Sequence, residues 1–252
     1  SVFGQPVYKP RAPLSGLLAI IMLAAGLAII MLDLGRADRV LIAATHVNLT
    51  SVFGWNMILY PVFFGLVGLY LWTLMDRRMH AYYKAAGFSA FIWRLVMTTG
   101  TGSLFGFIVA RQAYQSAILA PMFIIMSFAW GLAVFLLVQR SMYAWNNMEL
   151  NPALRQRLKN LLATFIAAVF YFVVVYHLTN IYYAKETAFE HFILVSGGVY
   201  PLLFWGGYVL LGGAAILLQS LIIAALLVNR SRRVRAEREA RALAGKILTA
   251  QE

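Results

Sequence analysis

The chain contains no cysteine. Disulfide bonds are therefore excluded, and so is any iron–sulfur cluster held by its own thiolates. Electrons that pass this way must be carried by another subunit or by a bound organic molecule. Charge is scarce as well. Only 12% of the 252 residues are Asp, Glu, Lys or Arg, while 62% are hydrophobic. A soluble domain carries about twice that charged share. Acid is the scarcer sign, with 9 Asp and Glu against 21 Lys and Arg, a net charge of +12. That excess invites a nucleic-acid reading. The basic residues, however, sit in short loops and one tail, which is how membrane orientation is encoded, so no nucleic-acid partner is expected. The sequence opens without Met, and SVFGQPVYKPRAP, residues 1–13, is too polar and proline-rich for a signal peptide. Further helices are expected upstream of it.

What is present comes in long apolar blocks, and blocks of roughly 18 or more such residues indicate membrane helices. The expected fold is an all-α polytopic transmembrane helix bundle, one membrane domain over 1–252. Six spans can be read, at about 14–32, 53–75, 90–110, 116–138, 161–183 and 199–228. The last runs about 30 residues, roughly 45 Å at 1.5 Å per residue, and must tilt, kink or project into water. Its glycines Gly206, Gly207, Gly212 and Gly213 would permit close helix contacts, and Pro201 suits its first turn. Between the fourth and fifth spans, NPALRQRLKN (151–160) reads as a short surface helix begun by Asn151-Pro152. With the N-terminus inside, 16 basic residues fall on cytoplasmic segments, 4 on outer loops, and Arg94 within a span. Both ends are then cytoplasmic. The tail over 229–252 is basic and helix-prone, and reads as an orientation anchor on anionic lipid.

Histidines bear on whether a haem is held. There are four, His46, His80, His177 and His191. A b-type haem needs two at similar depth, and only His177 lies clearly inside a span, so no haem is expected. His177 reads either as a hydrogen-bonded packing residue or as a polar group beside a site. Arg94 lies a few residues inside the cytoplasmic end of its expected span and reads as a snorkelling cation. Beyond it, Thr98, Thr99, Thr101 and Ser103 with Gly100 and Gly102 form a polar stripe. Such a stripe serves helix packing or lines a narrow wet path.

The outer surface differs. LDLGRADR (32–39) ends the first apolar run in Asp33, Arg36, Asp38 and Arg39, and His46, Asn48, Trp55 and Asn56 follow within the same short stretch. One reading is a solvated, salt-bridged turn. The other is a site for a two-electron, two-proton carrier such as a quinol, which needs proton acceptors beside its hydroxyls. Asp33 and His46 have that chemistry.

LDLGRADR, then SVFGWNMILY (51–60), then SAILAPMFIIMSFAWGLAVFLL (116–137) together resemble the NrfD/polysulfide reductase membrane-subunit family. There a long apolar helix ends in a D-L-G-R-P-x-R-like stretch. The next helix opens S-x-x-x-W, matched by Ser51 and Trp55, and a later one carries A-P-x-F-x-x-S-A, matched by Ala120, Pro121, Phe123 and Ser127. FYFVVVYHLTNIYY (170–183) and GGVYPLLFWGGYVLLGGAAILL (197–218) look like the family's last two helices. Three positions depart from the pattern. Ala37 replaces the common Pro, Asn56 stands where some relatives have Asp, and Tyr114-Gln115 stand where a Trp-His pair is often seen. The family usually has eight or more helices.

The resemblance implies a haem-free bundle in the bacterial inner membrane that anchors a respiratory complex. It would bind menaquinone or ubiquinone and exchange electrons with a ferredoxin-like iron–sulfur subunit on the outer face. Catalytic subunits would lie further along. In that setting Asp33 would accept a proton, His46 would relay one, and Arg36 and Arg39 would position these groups or the partner. Trp55 and Tyr114 would flank the ring, with Asn56 and His177 completing the pocket. A purely structural anchor and a secondary transporter are the competing classes.

Overall fold

In lipid, every backbone N–H and C=O must be satisfied within the chain, and an apolar run does this most directly as a helix. The computed structural model describes residues 10–33, 42, 45–48, 50–108, 114–148, 151–183 and 187–213, all helical or connecting, with no strand among them. Helix α1 spans Ala12–Asp33, α2 Val52–Met75, α3 Tyr83–Gly106, α4 Leu119–Trp145 and α5 Pro152–Tyr183. Two shorter segments follow, α6 over Thr187–Ser196 and α7 over Val199–Gly213, bent by 73° at the break between them. In each, part of the helix is wound as a π-helix.

Successive helices run antiparallel and pack in chain order, α2 on α3, α3 on α4 and α4 on α5, with α1 against α2 and touching α4. The outer surface stays apolar, with Ile29 on α1, Trp72 on α2, Leu137 on α4 and Tyr171 on α5 all more than half exposed. That is the inverse of a water-soluble surface and suits a hydrocarbon solvent.

Local signals explain the boundaries. Asn48 Oδ1 accepts from Thr50 N at 3.0 Å and from Thr50 Oγ1 at 2.7 Å, tightening the turn into α2. Its carbonyl crowds Gly54, where a Cβ would collide with it. Pro121 sits in the first turn of α4, where its missing N–H costs nothing. Asn151 Oδ1 accepts from Ala153 N at 3.0 Å and starts α5. The break before α7 falls at Gly197-Gly198. Gly198 has φ +66°, and a Cβ on Gly197 would meet the Phe192 carbonyl.

Several expectations change. Four helices, α1, α2, α4 and α5, are long and apolar enough to cross a membrane, and α6–α7 makes a fifth only if the bent pair counts as one span. By that measure four or five spans stand among the described residues, and most of the sixth expected span, from residue 214 on, lies outside them. Helix α3 falls short because Lys84, Arg94 and the Thr/Gly stripe dilute it, although its 24 residues, about 36 Å, match the others in length. NPALRQRLKN is not a separate surface helix. It is the first part of α5, which runs unbroken for 32 residues. The last span bends before it begins, and residues 214–252, the basic tail included, lie outside the described residues. No described atom lies within 4 Å of a Cβ placed on Gly206, Gly207, Gly212 or Gly213, so these glycines make no close helix contact there.

Candidate functional site

The A-P-x-F-x-x-S segment forms the seam between α3 and α4. A Cβ on Gly102 would lie 2.7 Å from Ala120 Cα and 3.0 Å from the Leu119 carbonyl, so the two backbones nearly touch. Phe123 stacks on Phe105 at 5.4 Å between centroids. Four residues further along, the Ser127 carbonyl accepts from Arg94 Nη2 at 3.1 Å. The threonine hydroxyls of the polar stripe are satisfied on their own helix. Thr98, Thr99 and Thr101 each donate to the carbonyl four residues earlier, at 2.7, 2.8 and 3.0 Å. Thr101 Oγ1 also meets Tyr60 Oη of α2 at 3.3 Å.

Arg94 does not lie near a helix end. Helix α3 starts at Tyr83, which places Arg94 about 16 Å along it, near mid-length. Its guanidinium turns sideways to α4, bonds Ser127, and lies 5.7 Å from the centroid of Phe128.

The end of the bundle carrying Asp33 holds the titratable chemistry. Asp33 is the last residue of α1. Its side chain and the whole of Arg36, Asp38 and Arg39 lie outside the described residues. His46 is exposed, with Nδ1 3.0 Å from Thr45 Oγ1. Trp55 is exposed on the first turn of α2, whereas Asn56 beside it is only 6% exposed, and its Oδ1 has no hydrogen-bond partner among the described residues. Tyr114 leans on Phe105 at 5.4 Å and joins the cluster of Leu119, Met122 and Tyr176. The anticipated residues thus divide. Trp55 and Asn56 sit where α2 meets the Gly100 level of α3, since a Cβ on Gly100 would approach Asn56 Oδ1 to 3.7 Å. Tyr114 and His177 gather around α4 and α5.

His177 has a partner that sequence reasoning missed. Its Nδ1 lies 2.6 Å from Glu190 Oε2, and Asn180 Nδ2 donates to Glu190 Oε1 at 2.8 Å. Glu190 is 3% exposed, so both carboxylate oxygens are held inside the protein. Residues 177 and 180 lie three apart on one face of α5, and the short α6 folds back so that Glu190 meets both. The surroundings are aromatic. Phe204 of α7 packs edge-on to the His177 ring at 5.0 Å, Tyr176 does so at 5.3 Å, and Phe189 joins the Tyr114 cluster. Phe204 stacks in turn on Tyr208 at 6.0 Å. A buried carboxylate hydrogen-bonded to an imidazole and an amide can hold, accept and pass on one proton. It is the only ion pair among the described residues. No three metal-ligating side chains converge among those residues.

A bundle of long apolar helices with an apolar exterior, holding a buried acid–imidazole pair at one end, defines an integral membrane protein. The chain belongs to the NrfD family: the family model described as "Polysulphide reductase, NrfD" matches residues 1–237. Among curated proteins, it is 29% identical over 174 residues to the "Hdr-like menaquinol oxidoreductase integral membrane subunit" of Archaeoglobus fulgidus. That alignment covers 69% of this chain and 44% of the relative, so the chain spans less than half of that protein. No solved structure matches.

Proposed function

We propose that the chain is a quinone-reactive membrane subunit of a respiratory electron-transfer complex, and that Glu190, with His177, takes up protons released by quinol oxidation. The observation that carries this is the buried Glu190–His177–Asn180 cluster among aromatic rings, at the end of the bundle that Asp33 and His46 share. The relative's description as a menaquinol oxidoreductase subunit favours menaquinol, with ubiquinol the alternative. A quinol gives up two electrons and two protons. The electrons would pass to a separate iron–sulfur subunit docked at this end and onward to catalytic subunits. The protons need acceptors on this chain.

Each part of the chain has a role in that reading. Glu190 accepts a proton at a carboxylate oxygen while Asn180 holds the other oxygen in place. His177 fixes the carboxylate through Nδ1 and offers the next site for the proton. Asp33 and His46 serve the exposed rim, Arg36 and Arg39 position these groups or the docking partner, and Asn56, Trp55 and Tyr114 border the ring. In this reading the positive-inside distribution would put this end on the outer face of the inner membrane and both termini in the cytoplasm. Proton transfer by a positioned side chain contributes about 10²–10⁴-fold to such a step.

The test is oxidation of a menaquinol analogue by the purified, assembled complex. Glu190→Gln is expected to slow turnover by about 10²-fold and Asp33→Asn or His46→Ala by less, with extractable quinone retained. A complex that holds no quinone, and whose turnover none of the three variants changes, would establish the scaffold reading instead.

A further inference from the structure

Away from the Glu190 end lies a cavity of about 860 Å³ among α1, α2, α3, α4 and α5. Its volume is within the range of small-molecule sites. Along α1 it extends from Arg11, just before the helix, to Leu23, about 18 Å, and it reaches mid-length of α3 at Arg94. Three stacked rings from three helices form one wall: Phe91 of α3 on Phe128 of α4 at 6.4 Å, and Phe128 on Phe165 of α5 at 5.4 Å. Arg94 sits at the edge of this aromatic layer.

Arg94 is unusual for a cation at that depth. No acidic side chain lines the cavity, and no carboxylate pairs with Arg94 among the described residues. Of its five N–H donors, one meets Ser127 O. The serine and threonine hydroxyls of the lining offer no donor, because Ser15, Thr98 and Ser127 each spend their proton on a carbonyl of their own helix. The cavity is therefore greasy, flat-walled on one side, and armed beside that wall with the forked donor of Arg94, while the second guanidinium of the lining, Arg11, stands at the far end and donates to Tyr143 Oη at 3.3 Å. Intramembrane ionisable residues of this kind mark functional sites, since a buried guanidinium at a helix centre is costly unless a partner offsets its charge. A ligand with oxygen acceptors supplies the offset.

We infer that this cavity is a second quinone site, in which the planar ring lies along the Phe91–Phe128–Phe165 wall and a ring carbonyl accepts from the Arg94 guanidinium. The isoprenoid chain leaves through the apolar opening toward lipid. This rests on the quinone reading above but uses none of its residues. It adds a ring site at Arg94 to the one proposed beside Glu190.

The test is photoaffinity labelling of the assembled complex in nanodiscs with an azido-naphthoquinone, followed by peptide mapping. Labelling is expected on the peptides over 83–106 and 119–145 and should be competed by a short-chain menaquinone. Arg94→Gln should reduce it about tenfold or more, the loss of one charge-assisted hydrogen bond. Arg94→Lys should recover only part, because the ammonium lacks the planar fork. Gly131→Leu should abolish it, since a Cβ at 131 already points at Arg94 Nη2 from 3.1 Å. If labelling appears only around residues 176–208, the quinone reading stands and the second site falls. If it appears nowhere on the chain, both fall. Displacement of the probe by equimolar oleate or phosphatidylglycerol, or labelling indifferent to both Arg94→Gln and Gly131→Leu, would overturn the inference as well.

Discussion

Gly102→Ala tests the packing on which both sites depend. A methyl at this position would lie 2.7 Å from Ala120 Cα, 3.0 Å from the Leu119 carbonyl and 3.1 Å from Phe123 Cβ. Carbon atoms are comfortable at about 3.5–4.0 Å, so α3 and α4 would have to part by roughly 0.8–1.3 Å. Two of the three obstacles are backbone atoms, which cannot rotate aside. Overpacking of this kind costs about 1–3 kcal/mol. Gly206→Ala is the control. Nothing among the described residues crowds that site, and alanine is favoured over glycine in a helix by about 1 kcal/mol. Gly100→Ala should fall between them, since its obstacle at 2.8 Å is the tip of the Leu59 side chain. Unfolding in mixed detergent micelles, followed by far-ultraviolet circular dichroism across an SDS titration, reads all three. Equal stability of Gly102→Ala and Gly206→Ala would refute the close α3–α4 seam.

Two further outcomes follow from single contacts. Trp93 Nε1 donates to the Leu59 carbonyl at 2.9 Å, tying α3 to α2, so Trp93→Phe should cost about 1 kcal/mol in the same titration. An unchanged midpoint would show that the bond contributes nothing. Gln139 is 2% exposed, and neither its Oε1 nor its Nε2 has a partner among the described residues. Gln139→Leu should therefore raise the thermal midpoint, relieving about 1–3 kcal/mol of unsatisfied burial. A lowered midpoint would mean that another part of the protein bonds this amide.

The helices were legible because lipid demands long apolar runs, and five of the runs read from sequence correspond to α1–α5. Where composition and geometry conflict, the reading erred. Arg94 seemed close to a helix end because the span was read from residue 90, after Lys84 and Gly87, whereas the helix begins at Tyr83; a helix needs satisfied hydrogen bonds more than uniform hydropathy. The charges in NPALRQRLKN concealed the start of α5 for the same reason. The closing span was expected to tilt, kink or project into water, but the place of the break, at Gly197-Gly198 where Gly198 has positive φ, leaves no periodic trace.

The site was half legible. His177 was visible as a polar residue in an apolar helix, but its partner lies 13 residues on, in KETAFEHF, which reads as loop. The signal was there in principle: Glu190 follows Ala188 and Phe189 and precedes Phe192, an acid set in a short apolar stretch between two spans. Only the reversal between α5 and α6 brings it to His177 and Asn180. Asn56 was chosen for its place near Trp55, and its burial separates it from its exposed neighbour.

The central claim is that Glu190 takes up a proton when quinol is oxidised. Reaction-induced infrared difference spectroscopy on the assembled complex tests it most directly. Oxidation of bound quinol should produce a carboxylic-acid C=O band that shifts in deuterium oxide and is absent in Glu190→Gln, with an imidazole change that disappears in His177→Ala. Identical difference spectra for the natural chain and Glu190→Gln, at full quinol turnover, would contradict the account.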